Sequence, residues 1–152
     1  MSYVLSFRWL VMLALLAVEA NRPAESPSIA FTKDSLEVVK KNLAAKKAAL
    51  VDVRTVEEWN AGHLAAASSL PIALLQKPRF DREKLTKLLP PKKEKKIIYT
   101  HCVVGMRAKQ AALVLEREGY IVRPLKPGYE ELLKAGFARA KSKPQDEPAS
   151  KP

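Results

Sequence analysis

The chain changes from strand to helix within one segment, Ile97-Ile98-Tyr99-Thr100-His101-Cys102-Val103-Val104-Gly105-Met106-Arg107-Ala108. Its first part is apolar and follows the polar, proline-containing segment 90–95, a pattern typical of a loop that leads into a buried strand. From Arg107 to Gly119, alanine and leucine recur with helical spacing at positions 108, 111, 112 and 115. The only cysteine of the chain, Cys102, therefore lies at a turn from strand to helix.

The residues after Cys102 form a loop suited to binding a negative charge. Its backbone N–H groups precede the helix and have no helical partners, so they can point inward at a thiolate, a persulfide or an oxyanion. Gly105 allows a positive φ in this loop, and Arg107 offers a fork of donors to an anionic substrate. The alternative interpretation is that Cys102 is a small hydrophobic core residue, as many free cysteines are.

Three ordered motifs resemble those of the rhodanese family of sulfurtransferases. They are Leu50-Val51-Asp52-Val53-Arg54, then Glu57-Glu58-Trp59-Asn60-Ala61-Gly62-His63-Leu64, and then Cys102-Val103-Val104-Gly105-Met106-Arg107. The resemblance implies a rhodanese-like domain over residues 32–140. It also implies that Cys102 takes sulfane sulfur from a donor as a persulfide, which the backbone of Val103, Val104, Gly105, Met106 and Arg107 holds. The resemblance implies no cofactor and no metal ion.

The sequence departs from the family pattern at three places. Ala66 replaces a usual glycine, and Pro127-Gly128-Tyr129 replaces a usual motif of two glycines and an aromatic residue. Relatives specific for thiosulfate tend to place cations directly after the cysteine, whereas Val103 and Val104 are apolar. The resemblance therefore implies sulfur transfer and leaves open whether thiosulfate is the donor.

Two other functions compete with sulfur transfer. His101-Cys102 followed by an arginine also resembles the tyrosine phosphatases and arsenate reductases of related fold, but their loops hold one more residue between cysteine and arginine. Here four residues, Val103 to Met106, separate Cys102 from Arg107, and the shorter loop favours a smaller, sulfur-centred group. The second alternative is a rhodanese-like module that binds an anion or a partner without turnover.

Asp52, Arg54 and His63 are predicted to support the site. Asp52 and Arg54 follow a strand and, by the resemblance, tie neighbouring loops together by hydrogen bonds and ion pairing. Otherwise they form a surface ion pair of little energetic value. His63 is expected to bond the backbone with its ring. His101 precedes the cysteine on a strand, so its side chain should point to the opposite face, and Trp59 is expected in the core.

Helical and extended patterns alternate along the rest of the chain. Helices are predicted over 34–47, from a Thr55 capping box to Gly62, and over 71–75, 81–89 and 129–135. Strands are predicted over 49–53, 67–70, 96–99 and 120–125. This alternation indicates a three-layer α/β fold, with a central parallel sheet, helices on both faces and ligands at the carboxyl ends of the strands.

Both ends of the chain have the composition of segments outside the fold. Residues 1–20, with Arg8 before an apolar run over 10–18, are predicted to be a signal peptide that exports the protein to the periplasm or the cell exterior. The alternative is a membrane anchor, but the run is too short for a bilayer of about 30 Å, so no stable membrane span is expected. Residues 21–31 are predicted to be a linker and 141–152 a disordered tail containing lysine and proline.

The chain is strongly basic, with 27 Lys and Arg against 16 Asp and Glu and a net charge of +11. The basic segments show no repeated pattern of interleaved aromatic residues and no binding motif, so nucleic acid is not an expected partner. A solvated surface that attracts anionic molecules is the simpler interpretation. The expected partners are a small sulfur-containing anion and a thiol acceptor. The protein is expected to be a monomer, and its single cysteine excludes an internal disulfide.

Overall fold

The structure, a computed structural model, describes residues 28–141, in which four strands alternate with helices. The elements are α1 (Leu36–Ala44), β1 (Ala48–Asp52), α2 (Val56–Ala61), β2 (Ala67–Ser69), α3 (Ile72–Leu75), α4 (Arg82–Leu88), a 3-10 helix (Lys92–Glu94), β3 (Ile97–His101), α5 (Met106–Arg117), β4 (Ile121–Pro124) and α6 (Tyr129–Lys134). Every predicted helix and strand is present, with small differences at its ends.

The four strands form one parallel sheet in the order β2-β1-β3-β4. Asp52, the last residue of β1, is level with Ser69 of β2 and His101 of β3, so the carboxyl ends of the strands meet at one edge. From β1 the chain adds β2 on one side of the sheet and then β3 and β4 on the other side. Such a change of direction, here between β1 and β3, leaves a crevice beside the carboxyl ends of the strands. The Cys102 loop follows β3 directly at this crevice.

Apolar side chains on the two faces of the sheet form two cores. Ile98 points to one face, where the first core packs the sheet against α3, α4 and α5. Tyr99 points to the other face, where the second core includes Val39 of α1 and Leu132 of α6. The predicted three-layer α/β fold with helices on both faces is therefore confirmed.

Two differences from the predicted structure have local causes. Helix α1 ends at Ala44 rather than at residue 47, because Lys46 adopts a left-handed backbone conformation (φ 56°) that a right-handed helix excludes. Trp59 is only half-buried, so its predicted place in the core is wrong. Helix α2 contains no buried residue, and the Trp59 ring stacks on His63 with ring centres 3.7 Å apart.

The predicted signal peptide, residues 1–20, and residues 142–152 of the predicted tail lie outside the described residues. Only the end of the predicted linker is described, and there Ile29 packs against the first core while Phe31 lies beside Gly105. Within residues 28–141, no helix is long and apolar enough to cross a membrane.

Candidate active site

Cys102 lies just after β3, with its side chain buried under the loop that follows. Its exposed fraction is 0%, and it belongs to the same core as Ala108 of α5. The Sγ atom accepts a hydrogen bond of 3.1 Å from the backbone N–H of Gly105. Because hydrogen bonds to a charged form favour that form, this contact stabilises negative charge on the sulfur.

Gly105 directs its backbone N–H to the sulfur by taking a left-handed conformation, with φ at 85°. Its carbonyl oxygen accepts the N–H of Lys109 at 3.0 Å, so the same residue begins α5. A Cβ at this position would lie 2.8 Å from the Phe31 ring and 2.9 Å from the Lys126 carbonyl oxygen. Glycine is therefore required here both by the backbone conformation and by the space available.

The loop between β4 and α6 packs tightly on the Cys102 loop. A Cβ on Gly128 would lie 1.5 Å from the carbonyl oxygen of Val103. The next residue, Tyr129, donates its backbone N–H to the carbonyl oxygen of Cys102 at 2.9 Å. The glycine kept in the Pro127-Gly128-Tyr129 motif is thus a point of close backbone approach.

Three apolar side chains of the Cys102 loop face solvent, and we call them the apolar rim. Val103 is 47% exposed, Val104 68% and Met106 58%. Because exposed hydrophobic side chains grouped in one loop commonly mark a contact surface, the rim is a candidate contact for a molecule that approaches Cys102.

Arg107 ends the loop, and both of its terminal nitrogens are occupied by Glu58. Nη1 lies 2.6 Å from Oε2 of Glu58, and Nη2 lies 2.8 Å from Oε1. The hydrogen bonds from Arg107 lower the pKa of Glu58 to about 2, and the carboxylate in turn raises the pKa of Arg107. Glu58 thus binds two of the five N–H donors of Arg107, and the role of Arg107 toward a substrate stays a prediction.

Asp52 and Arg54 form a buried ion pair between the ends of several elements. Their side chains are 1% and 5% exposed, and Nη2 of Arg54 lies 2.7 Å from Oδ2 of Asp52. The same nitrogen donates to the Gly62 carbonyl oxygen at 2.8 Å, and the guanidinium lies 4.1 Å from the centre of the Tyr129 ring. The pair is buried and therefore is not the weak surface ion pair considered above.

A family model described as the rhodanese-like domain matches residues 35–135. The chain belongs to the rhodanese-like domain family. No curated protein matches it in sequence.

Solved structures share the fold of this rhodanese-like domain. A human single-domain sulfurtransferase has a TM-score of 0.52 and 26% identity, over 72% of this chain and 96% of its own. A rhodanese-like domain protein from Staphylococcus aureus has a TM-score of 0.53 and 25% identity, over 70% of this chain and 94% of its own. A Helicobacter pylori protein has a TM-score of 0.52 and 28% identity, over 68% of this chain and 86% of its own. The similarity therefore covers most of each relative.

Neither histidine of this rhodanese-like domain is placed to act as an acid or base on Cys102. His63 forms a 3.1 Å hydrogen bond between Nδ1 and the carbonyl oxygen of Trp59, which is the structural contact predicted for it. His101 is fully buried and pairs with Asp52 of the neighbouring strand. Its side chain is on the same face of the sheet as Tyr99, which is the face opposite the cysteine. Burial lowers the pKa of His101, so its ring stays neutral.

Within residues 28–141 of the rhodanese-like domain, no cluster of His, Cys, Asp and Glu side chains is arranged to hold a metal ion. The site holds one buried sulfur, the backbone N–H of Gly105 directed at it, and the apolar rim. The sequence places Glu58 in the second motif and in the Thr55 capping box but does not indicate its contact with Arg107. That capping box is present, and the same carboxylate serves both contacts.

Proposed function

We propose that this protein is a sulfurtransferase that carries sulfane sulfur as a persulfide on Cys102. The donor is thiosulfate or another persulfide-type compound, and the acceptor is a thiol or cyanide. The observation that carries the proposal is the hydrogen bond from the Gly105 N–H to the Cys102 sulfur, in a loop of the length expected for sulfur chemistry. Similarity to a human single-domain sulfurtransferase supports it.

In the first half-reaction, the Cys102 thiolate attacks the outer sulfur of the donor. A new S–S bond forms to Cys102, the S–S bond of the donor breaks, and its electron pair leaves with the remainder of the donor. For thiosulfate the products are the Cys102 persulfide anion and sulfite, so charge and atoms balance. The Gly105 N–H favours negative charge on the sulfur, and the backbone N–H groups that begin a helix such as α5 favour negative charge in the loop before it.

In the second half-reaction, an acceptor nucleophile attacks the outer sulfur of the persulfide. The S–S bond to Cys102 breaks, its electron pair returns to Sγ, and the thiolate is regenerated. A thiolate acceptor becomes a persulfide and cyanide becomes thiocyanate. This division into two displacements on one covalent intermediate predicts ping-pong kinetics.

The test is steady-state turnover with several sulfane donors and cyanide, measured as thiocyanate formed. We expect parallel double-reciprocal plots for the wild type and no activity in Cys102→Ser. If no donor yields thiocyanate or transfers sulfur to a thiol, the protein is a binding module without turnover. If the wild type instead hydrolyses an aryl phosphate and Cys102→Ser does not, the protein is a phosphatase.

We also propose that residues 1–20 act as a signal peptide and that the sulfurtransferase works outside the cytoplasm. The apolar run over 10–18 and the small residues that follow it support this. Fractionation of a bacterial host that expresses the full chain, with amino-terminal sequencing, tests it. A periplasmic product that begins near Asn21 is expected, and an unprocessed cytoplasmic product would contradict it.

A further inference from the structure

The positive charge of the Cys102 loop, on Arg107, is balanced by the carboxylate of Glu58. Arg107 is the only charged residue from Cys102 to Ala108, and Glu58 binds both of its terminal nitrogens. The two side chains are 30% and 31% exposed, so the pair is partly shielded from water. The bidentate pair offsets the charge of the guanidinium and takes two of its five N–H donors, so Arg107 attracts a second anion less strongly than an unpaired arginine would.

Two hydrogen bonds with Thr55 hold Glu58 in this position. Its Oε2 atom accepts the backbone N–H of Thr55 at 2.9 Å, and its backbone N–H donates to the Thr55 hydroxyl at 3.2 Å. It also lies in the first turn of α2, where the helix dipole favours a carboxylate. With its pKa lowered to about 2, Glu58 stays ionised at every pH at which the protein would act.

The surface beside the sulfur is apolar. Cys102 is fully buried, whereas Val103, Val104 and Met106 of the apolar rim are between 47% and 68% exposed. A donor that brings its outer sulfur to Sγ must approach this loop. An apolar group gains contact area there, whereas a strongly hydrated anion loses water beside a cation, Arg107, that is already paired with Glu58.

We propose that the site takes sulfane sulfur from donors that carry an apolar group beside the reacting sulfur and at most one negative charge. Glu58 is the residue that sets this specificity, because it neutralises Arg107 and so disfavours dianions such as thiosulfate. The inference rests on the proposed sulfurtransferase function and narrows its donor class.

Thiosulfonate anions match this class and allow a controlled comparison with thiosulfate. In benzenethiosulfonate a phenyl group replaces one charged oxygen of thiosulfate, and in methanethiosulfonate a methyl group does. The Cys102 thiolate attacks the outer sulfur, the S–S bond of the donor breaks, and its electron pair leaves on the sulfinate. The products are the Cys102 persulfide anion and a sulfinate anion, so electrons and charge balance without an added oxidant.

The experiment measures the single-turnover rate of sulfur loading on the purified protein, by intact mass, for the three donors. Each rate is divided by the rate of the same donor with a free thiol in solution, which removes differences in intrinsic reactivity. For the wild type we expect the normalised loading rate to be highest with benzenethiosulfonate, lower with methanethiosulfonate and lowest with thiosulfate. The highest and lowest rates should differ about tenfold.

Two matched variants distinguish the effect of the Glu58 contact with Arg107 from the effect of removing any one negative charge from α2. Glu58→Gln frees Arg107 and can keep the capping box, since glutamine also serves at that position. Glu57→Gln removes a carboxylate from the same turn of α2, where Glu57 is exposed. We expect Glu58→Gln to raise the ratio of the thiosulfate rate to the benzenethiosulfonate rate about tenfold, and Glu57→Gln to leave that ratio unchanged.

The outcomes distinguish this inference from the proposed function. Equal normalised rates for thiosulfate and benzenethiosulfonate in the wild type, or equal effects of Glu58→Gln and Glu57→Gln, would overturn the inference and leave sulfur transfer standing. If none of the three donors adds sulfur to Cys102, the proposed function itself fails. Thermal unfolding followed by circular dichroism checks that both variants are folded.

Discussion

At the scale of single residues, the Cys102 loop depends on glycines where two backbone segments meet. Gly128 has an ordinary extended conformation, with φ at −89°, yet a Cβ on it would lie 1.5 Å from the carbonyl oxygen of Val103. Gly119, at the end of α5, is the opposite case, because its φ is 86° and nothing lies within 4 Å of such a Cβ.

Gly128→Ala is expected to lower the free energy of unfolding by about 3 kcal/mol, because the methyl group forces the two loops apart. Gly119→Ala is the control, and left-handed strain alone should cost it about 1 kcal/mol. Urea unfolding measures both. A smaller loss for Gly128→Ala than for Gly119→Ala would show that the two loops do not pack as described.

At the scale of secondary-structure elements, two ion pairs connect the ends of helices and strands around the site. Arg54 follows β1, contacts the carbonyl oxygen of Gly62 after α2 and lies over the ring of Tyr129 in α6. The Arg107–Glu58 pair joins the start of α5 to α2 across 49 positions of sequence. Helix α2, which has no buried residue of its own, is therefore attached to the domain through polar contacts.

Asp52→Asn is expected to destabilise the domain by about 3 kcal/mol, because it leaves the buried guanidinium of Arg54 without its counter-ion. Glu83→Gln is the matched control, since it breaks the exposed ion pair with Lys87 and should cost less than about 0.5 kcal/mol. Thermal and urea unfolding compare the two. Equal losses would mean that the Asp52–Arg54 pair contributes no more than a surface pair.

The Arg107–Glu58 pair predicts a specific dependence of stability on pH. The pKa of Glu58 is lowered from 4.5 to about 2 in the folded protein, so the pair stabilises the fold above pH 4.5 and this contribution is lost as the pH falls toward 2. The difference in free energy of unfolding between the wild type and Glu58→Gln should therefore shrink over that range. Urea unfolding at several pH values tests it, and a difference that does not vary with pH would contradict the lowered pKa.

At the scale of the whole molecule, the fold follows from local patterns that the sequence displays. Short apolar runs alternate with helical periodicity, which predicts a parallel sheet with helices on both faces, and the chain at Cys102 turns at the edge where ligands bind. The buried face of α5 was predicted residue by residue, because its alanines recur with helical spacing.

The contacts that sequence reasoning missed join residues far apart in the chain. The motif containing Glu58 explains its cap on Thr55, but nothing in the local pattern shows that Arg107 lies within reach. The resemblance places Trp59 at the position of a usual phenylalanine and so predicts it in the core, whereas α2 lies at the surface and the ring stacks on His63. Contacts such as the Glu58–Arg107 ion pair depend on how distant segments of the chain pack in the folded protein, which local sequence patterns do not show.

The central claim is that Cys102 accepts and holds a single sulfur atom. The most direct measurement is the intact mass of the purified protein after incubation with a sulfane donor such as benzenethiosulfonate. The account predicts a gain of about 32 Da in the wild type, lost again on addition of cyanide, and no gain in Cys102→Ser. An unchanged wild-type mass with every donor, or the same gain in Cys102→Ser, would contradict it.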